Sequence, residues 1–181
     1  MAETEGADQD AELLRKIIAG DATATRLLVH QKLPRLHSLA RRMLDDAVEA
    51  EDVVQECFIR LWRQAPTWRS GTARVDTWLH RVTLNLCYDR LRKKREVVVA
   101  EVPETADPAP GPGAALDVIE ESGRVSSALS QLPLRQREAI VLQYYQGLSN
   151  IDAAAVMEVS VEAYESLLSR ARRGLRTILG E

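Results

Sequence analysis

A segment near the middle of the chain interrupts an otherwise uniform pattern. Residues 103–113 contain four prolines and two glycines in eleven positions. Proline lacks a backbone N–H and fits neither the interior of a helix nor the centre of a sheet, so this segment predicts an extended, solvated linker. We place the linker at 96–114, between a first domain at 1–95 and a second domain at 115–181.

The two flanking parts carry the apolar spacing of amphipathic helices. Apolar residues recur there at alternating steps of three and four, and no segment alternates long enough to predict a sheet. Gly20, Pro34 and Gly147 predict breaks between helices, and Val97-Val98-Val99 is compatible with a short extended piece. The sequence therefore predicts an all-α protein of two small helical domains joined by a Pro/Gly-rich acidic linker.

Charge is distributed unevenly along the chain. The formal net charge is −3, but residues 13–95 contain 17 bases and 9 acids, whereas residues 96–122 contain seven acids and no bases. Five of the six residues at 90–95 are bases, more than a helix C-terminus needs to complement its dipole. Such a cluster neutralises phosphates, so it predicts a nucleic-acid partner for the first domain.

The sequence contains none of the common motifs of enzymes or of metal-binding proteins. It lacks a glycine-rich phosphate loop, a nucleophile elbow and an HExxH pair, and neither Cys57 nor Cys87 belongs to a CxxC pair. The histidines show no metal-ligand spacing with the cysteines, so we expect no catalytic residue, cofactor or metal. Residues 1–10 lack a signal-peptide pattern and no apolar run approaches the roughly 18 residues of a membrane span. We therefore expect a cytoplasmic protein without membrane insertion.

A helix-turn-helix pattern occupies the last third of the chain. A short helix at 149–157, a turn at 158–160 and a longer helix from 161 match the lengths of the DNA-binding motif. Ser149 and Ser160 stand at the two N-caps, and Asp152 completes a capping box with Ser149. A helical hairpin buried in a bundle has the same pattern, so the motif alone leaves both interpretations open.

The second helix of this motif has two distinct faces. Its apolar stripe, with Tyr164 and Leu168 near the middle, is expected to pack inward. The opposite face carries Glu162, Glu165, Ser166, Ser169, Arg170 and Arg173. These six residues are the candidates for contact with DNA.

The helix predicted at 76–95 combines a buried stripe with polar and aromatic neighbours. Trp78, Arg81 and Asn85 lie beside the stripe, and the basic cluster follows them. The preceding loop at 68–74 mixes an aromatic, two arginines and small polar residues, which suits an unstacked base and its backbone. For Trp78 by itself, a place in the core is the commoner role.

The helix predicted at 47–64 is apolar on one face only. Asp52, Gln55, Glu56, Ile59 and Arg60 lie largely off that face. Taken alone, they are also compatible with a solvated surface that carries an ion pair between Glu56 and Arg60.

Three stretches of the chain together resemble the bacterial extracytoplasmic-function sigma factors. Residues 46–62, DAVEAEDVVQECFIRLW, resemble the polymerase-binding region of that family, and residues 77–92, TWLHRVTLNLCYDRLR, resemble its promoter-melting helix. Residues 132–142, LPLRQREAIVL, with the helix-turn-helix after them, resemble its fourth region. The resemblance covers nearly the whole chain except the acidic N-terminal tip and the linker.

The resemblance implies a sigma factor, a dissociable subunit that gives RNA polymerase core its promoter choice and catalyses nothing itself. The implied partners are the clamp helices of the largest RNA polymerase subunit, the flap of the polymerase and promoter DNA. The resemblance also implies an anti-sigma factor that holds the protein inactive. The residues implied for core polymerase binding are Asp52, Gln55, Glu56, Ile59 and Arg60. Those implied for the minus-ten element are Arg69, Ala73, Arg74, Val75, Trp78, Arg81, Asn85, Arg92, Lys93 and Lys94. Those implied for the minus-thirty-five element are Glu162, Glu165, Ser166, Ser169, Arg170 and Arg173.

The chain departs from the family pattern at its recognition helix. Two positions that are usually basic there are Glu165 and Leu167, and the glycine of the helix turn is replaced by Glu158. A non-glycine residue at that turn must adopt or avoid the left-handed conformation. Two alternatives to a sigma factor are an autonomous helix-turn-helix regulator, which would not need a polymerase-docking face, and a sigma mimic, which would not need the recognition arginines.

Overall fold

The computed structural model describes residues 2–68, 74–100 and 116–180, with side chains described for 9–68, 74–96 and 123–180. These residues form helices and the turns between them, so the predicted all-α class is confirmed. The first domain contains α1 (Ala2–Ile18), α2 (Ala22–Leu44), α3 (Ala47–Gln64), a 3₁₀ turn (Ala65–Thr67) and α4 (Val75–Ala100). The second contains α5 (Leu116–Gln131), α6 (Leu134–Ile140), a π turn (Val141–Tyr145), α7 (Asn150–Met157) and α8 (Val161–Leu179). Most of the predicted linker, at 101–114, lies outside the described residues.

The two helices of the helix-turn-helix begin at the predicted caps. The Ser149 hydroxyl accepts a hydrogen bond from the backbone N–H of Asp152 at 3.1 Å and donates to the Asp152 carboxylate at 2.7 Å. The Ser160 hydroxyl accepts from the backbone N–H of Ala163 at 3.2 Å. Each cap satisfies a backbone donor that the first turn of a helix leaves free, so the starts of α7 and α8 are fixed locally.

The predicted helix break at Pro34 is wrong, because α2 runs without interruption from Ala22 to Leu44. A proline inside a helix destabilises it by about 3 kcal/mol, because it lacks one backbone hydrogen bond and its ring clashes with the preceding turn. Leu28 and Leu36 on either side of it are buried, at 0% and 1% exposure, and burial of a leucine contributes roughly 1.5–3 kcal/mol. Packing on both sides of Pro34 therefore outweighs its local cost, while the proline itself lies on the exposed side of α2.

The extended piece considered for Val97-Val98-Val99 is also wrong, since these residues belong to α4, which ends at Ala100. Adding residues to an existing helix avoids the cost of nucleation, and the lower helix propensity of valine is a small term beside it. Helix α4 consequently extends five residues past the expected domain boundary at 95.

Each domain has its own arrangement of helices around apolar side chains. In the first, α2, α3 and α4 pack on one another and α1 packs on α2. In the second, α8 packs on α5, α6 and α7, and Tyr164 lies at the centre with no exposed surface. The Tyr164 hydroxyl is satisfied there by the carbonyl of Ala139 at 3.1 Å and by Gln143 at 3.2 Å. Among the described residues, no helix has the length and apolar character to cross a membrane.

The two domains lie against each other, which the sequence did not predict. Helix α4 packs on α7, and α2 packs on the π turn, on α5 and on α6. The buried guanidinium of Arg137 donates to the carbonyl of Met43 at 2.7 Å, and the Arg42 guanidinium lies 3.8 Å above the ring of Tyr145. Buried apolar side chains of both domains form one continuous core. The described part of the chain is therefore in a closed arrangement.

Candidate nucleic-acid and polymerase interfaces

The outer face of α3 brings together all five residues expected to bind polymerase. Asp52, Gln55, Ile59 and Arg60 are exposed and Glu56 is half-buried, whereas the alternate face of the helix lies in the core. The carboxylate of Glu56 accepts from Arg60 at 2.9 Å, as the sequence spacing predicted. Ile59 is 42% exposed on this face. An apolar side chain surrounded by charges is the arrangement that a protein partner can cover.

Helix α4 presents a second face along its length. Trp78, Arg81, Asn85 and Arg92 recur on α4 at helical spacing, in line with Arg74 directly before the helix; Asn85 and Arg92 are exposed, and the other three are half-buried. The helix thus aligns a hydrogen-bonding amide, an aromatic ring and three guanidinium groups. Two further expected residues, Arg69 and Ala73, lie outside the described residues.

Two of the aromatic and apolar residues expected at the minus-ten site have structural partners. Val75 is only 3% exposed and packs in the core, so its side chain does not reach the surface in this arrangement. The ring of Trp78 packs edge to face on Trp68 with centroids 5.8 Å apart and lies against the core. Trp78 is half-buried beside that contact, so part of the residue remains exposed.

The C-terminal part of α4 carries the basic cluster. Arg90 binds the carboxylate of Glu49 on α3 at 2.7 Å, so one of the five bases contributes to packing within the first domain. Arg92 lies 3.0 Å from Asp89, and Lys93 and Lys94 are exposed beside it. The exposed bases form a positive end that adjoins the α4 face.

The recognition helix α8 separates its faces as predicted. Tyr164, Leu168 and Ala171 are buried. All six residues expected to face DNA lie on the outside of the helix: Glu162, Glu165, Ser166, Ser169, Arg170 and Arg173. The Glu165 carboxylate accepts from the Asn150 amide at 2.9 Å, which orients it from the first helix of the motif. A hydrogen bond from its own backbone N–H, followed by one from Ser160, lowers the pKa of Glu162, so this carboxylate complements the start of α8.

The turn between α7 and α8 contains a residue in an uncommon conformation. Glu158 adopts the left-handed region at φ 56°, the position that a glycine occupies at low cost. Its backbone N–H closes α7 by donating to the carbonyls of Ala154 and Ala155. The side chain is 65% exposed and extends toward α4 of the other domain.

Several residues that sequence analysis did not single out join the domains. The Tyr88 hydroxyl donates to the carboxylate of Glu138, which also accepts from Arg135 at 3.0 Å. His80, buried at 2% exposure, forms a hydrogen bond of 3.3 Å with the side-chain oxygen of Gln146. Burial lowers the pKa of His80 and raises the pKa of Glu138. The two partners of each pair lie in different domains, far apart in the sequence. Local sequence patterns therefore could not predict the pairing of Tyr88 with Glu138 or of His80 with Gln146.

Two family descriptions match the chain. "Sigma-70 region 2" matches residues 28–97, and "Sigma-70, region 4" matches residues 122–175. The first range covers α3 and most of α2 and α4, and the second extends from α5 through most of α8. The two matches thus fall on the two domains of the fold.

Full-length relatives extend this similarity over nearly the whole chain. The chain is 34% identical to the ECF RNA polymerase sigma factor SigM of Mycobacterium tuberculosis, over 94% of this chain and 85% of that protein. It is 30% identical to the ECF RNA polymerase sigma factor SigW of Bacillus subtilis, over 90% of this chain and 92% of that protein.

Solved structures of two proteins are similar to the fold. CnrH in complex with the cytosolic domain of CnrY gives a TM-score of 0.72 at 28% identity, covering 95% of this chain and 97% of that chain. The sigma factor RpoE in complex with the anti-sigma factor NepR, from Bartonella quintana, gives a TM-score of 0.68 at 28% identity, covering 86% of this chain and 96% of that chain.

Proposed function

This chain belongs to the extracytoplasmic-function sigma factors, and we propose that it directs promoter-specific initiation through the surfaces on α3, α4 and α8. The observation that carries this proposal is the division of α8 into a buried apolar face and an outer face of polar and basic residues. A buried helical hairpin would not leave such a face uncovered. The same chain carries a second basic helix in its other domain, as two-site promoter binding requires.

The α3 face is the proposed contact with RNA polymerase core. Asp52, Gln55, Glu56, Ile59 and Arg60 offer charges of both signs around one exposed apolar side chain. We assign this face to the clamp helices of the largest subunit. A protein interface gains most from an apolar side chain that becomes desolvated, and Ile59 is the exposed apolar side chain among these five residues.

The α4 face is the proposed contact with the minus-ten element. Asn85 supplies a hydrogen-bonding amide for a base taken out of the stack, and Trp78 supplies a ring two helical turns earlier on the same face. The other residues that we assign to contact with this element are Arg69, Ala73, Arg74, Val75 and Arg81. Among them, Val75 acts as a packing residue at the start of α4. Arg92, Lys93 and Lys94 neutralise phosphates. This binding energy offsets strand separation, and the protein itself is not an enzyme.

The exposed face of α8 is the proposed contact with the minus-thirty-five element. Glu162, Glu165, Ser166, Ser169, Arg170 and Arg173 face outward on this helix. Arg170 and Arg173 bind phosphates, whereas Glu165 is placed to accept a hydrogen bond from a cytosine amino group. The second domain also contacts the flap of the polymerase.

An anti-sigma factor is the proposed inhibitor. The two similar structures are complexes of CnrH with the cytosolic domain of CnrY and of the sigma factor RpoE with the anti-sigma factor NepR. The high coverage of both similar chains supports a comparable complex for this protein. Isolation of the tagged chain from its native cell should yield a small partner protein that suppresses transcription, and isolation without one would contradict this assignment.

Transcription by purified core polymerase tests the proposed function. With genomic fragments as template, core polymerase plus this chain should produce discrete transcript starts that core alone does not produce. The absence of new starts would overturn the proposal. Sequence-specific binding to duplex DNA without polymerase, together with no new transcripts, would indicate an autonomous regulator.

A further inference from the structure

The outer face of α8 carries a carboxylate at a position that is usually basic in this family. Glu165 is exposed there, next to Ser166 and one turn before Ser169. An ionised carboxylate only accepts hydrogen bonds, whereas lysine and arginine side chains only donate them. The chemical groups that this position of α8 can bind on DNA are therefore the opposite of those that a basic residue binds.

A side chain from the first helix of the motif holds this carboxylate. The Asn150 amide on α7 donates to one oxygen of Glu165 at 2.9 Å, across a separation of fifteen residues. The amide is neutral, so it orients the carboxylate and leaves its negative charge in place. Because a carboxylate has two oxygens with about four lone-pair sites, Glu165 can accept a further hydrogen bond while Asn150 holds it.

The contact joins two stretches of well-fixed backbone. Asn150 directly follows the N-cap Ser149, whose hydroxyl accepts from the backbone N–H of Asp152 at 3.1 Å. Glu165 directly follows the buried Tyr164. The freedom that remains lies in the long glutamate side chain, and immobilising such a side chain opposes binding. The hydrogen bond from Asn150 reduces that freedom before DNA is bound.

The base edges of the major groove determine what such an acceptor can recognise. Guanine and thymine present only acceptors there, whereas cytosine and adenine each present an amino group. In adenine the N7 acceptor lies beside the amino group and repels a carboxylate that approaches both. Cytosine presents its amino group without a neighbouring acceptor. An oriented carboxylate therefore selects cytosine.

We propose that Asn150 is a positioning residue for base readout, which holds Glu165 on the amino group of a cytosine in the minus-thirty-five element. This inference rests on the proposed role of the α8 face. It adds the side chain that sets the geometry of Glu165, and a base preference that depends on that side chain. A base without a donor at this position leaves the desolvated carboxylate without a partner, which is the source of the discrimination.

Transcription from a promoter library tests the readout with the complete holoenzyme. The template is a genomic promoter at which core polymerase plus this chain initiates. The upstream base pairs that the second domain protects in a footprint are randomised, and the templates that yield transcripts are sequenced. The wild-type holoenzyme should favour cytosine at one randomised position by roughly ten-fold over the other bases.

Glu165→Gln identifies the position that this side chain reads. The substitution keeps the shape of the side chain, but an amide both donates and accepts, and it therefore matches the N6 and N7 edge of adenine. The preference at that one position should shift from cytosine to adenine, and the other positions should keep their preferences. A cytosine preference that survives Glu165→Gln at every position would overturn the inference.

Asn150→Asp tests the positioning role. It keeps the size of the side chain, removes both N–H donors and sets a second carboxylate against Glu165. An acidic residue in the first turn of α7 favours the helix, so the fold should not be weakened, which thermal unfolding followed by circular dichroism checks. The cytosine preference should fall by about two- to ten-fold, the effect of losing one hydrogen bond. An unchanged preference in Asn150→Asp would overturn the positioning role.

The matched control is Gln131→Ala, which removes an exposed amide of the same domain that donates to the carbonyl of Ser127 at 3.2 Å. It should keep the wild-type cytosine preference. The preference is a ratio between templates, so a general loss of DNA affinity does not affect it. A fall in Gln131→Ala equal to that in Asn150→Asp would contradict a specific role for Asn150.

A double substitution tests whether Asn150 acts through Glu165. Once Glu165→Ala has removed the acceptor, Asn150→Asp should have no further effect on base choice at that position. A further loss would show that Asn150 acts by itself and would overturn the positioning role. Wild-type holoenzyme that yields no transcripts from any template would overturn the proposed function and this inference with it. Transcripts whose base preferences do not respond to Glu165 would overturn this inference alone.

Discussion

Tyr88 on α4 donates its hydroxyl hydrogen bond to the carboxylate of Glu138 on α6, and this contact joins the two domains within their shared core. Glu138 is 1% exposed and also accepts from Arg135. A buried carboxylate needs every available donor, because the interior does not replace the water it has lost.

Tyr88→Phe should therefore destabilise the folded chain by about 1–3 kcal/mol, the usual cost of leaving a buried polar group short of a partner. Urea unfolding followed by circular dichroism measures the change. Tyr145→Phe is the matched control, since the ring of Tyr145 stacks on Arg42 and that contact survives the substitution. Equal effects of the two substitutions would contradict the structural role of the Tyr88 hydroxyl.

Acidification should lower the stability of the folded chain through His80. The ring is buried at the domain contact, between the backbone carbonyl of Asp76 and the side chain of Gln146, and burial lowers its pKa. The unfolded chain, with a histidine pKa of about 6.5, then binds a proton at a higher pH than the folded chain does. Stability from neutral His80 is thus present above that pH and is lost as the pH falls below it.

The measurement is the urea midpoint at a series of pH values from neutral to mildly acidic. Arg35 and Asp76 face the ring with charges of opposite sign. Burial raises the pKa of Asp10, so this carboxyl changes the stability with pH in the direction opposite to that of His80. His80→Gln should flatten the fall in stability below neutrality. His30→Gln, at an exposed position of α2, should leave it in place. An unchanged slope in His80→Gln would refute the assignment.

Local patterns in the sequence predicted the helices and the helix-turn-helix. The caps at Ser149 and Ser160 and the inward position of Tyr164 follow from hydrogen bonds and spacings within a few residues. The break at Pro34 was wrong because the cost of a proline is local, whereas the compensating burial of Leu28 and Leu36 comes from other helices. Tertiary packing decided that case.

No local pattern in the sequence indicated that the two domains pack against each other. Glu138 is a charged residue, and its sequence neighbours do not indicate that its carboxylate meets a donor from the other domain, because Tyr88 lies fifty residues earlier. The same holds for Arg81, which the family resemblance implies as a contact for the minus-ten element, and whose ion pair with Glu158 has no local signal in the sequence. Of the candidate sites, the exposed faces could be predicted, and the occupation of one face by the other domain could not.

Asn85→Ala should impair strand opening more than duplex binding. The amide is exposed on the α4 face and has no role in the core, so its removal should leave the fold intact. Permanganate reactivity of unpaired thymines in the polymerase–promoter complex measures opening, and a gel-shift assay with the same complex measures binding. The loss of one hydrogen bond to an extruded base should reduce opening by roughly ten-fold. Equal losses in the two assays would refute the base-pocket assignment.

Replacement of Lys93 and Lys94 by alanine should weaken binding to all DNA sequences alike. Both side chains are exposed in the basic cluster and are assigned to phosphates, which carry no sequence information. The affinity should also depend less on salt, with the logarithmic slope reduced by about one for each phosphate that is no longer neutralised. Titration of polymerase–sigma complexes with two unrelated promoters at several salt concentrations provides both quantities. A weakening confined to one promoter would contradict the assignment.

Ile59→Asp should reduce affinity for core polymerase by roughly ten-fold or more, because it places a charge on a surface that becomes desolvated. Val48→Asp is a stringent control: it lies on the same helix, introduces the same charge and replaces a residue that is 71% exposed, against 42% for Ile59. Fluorescence anisotropy of labelled chain titrated with core polymerase measures both affinities. The α3 face, rather than general surface charge, is the docking site only if Val48→Asp binds nearly as tightly as wild type while Ile59→Asp does not.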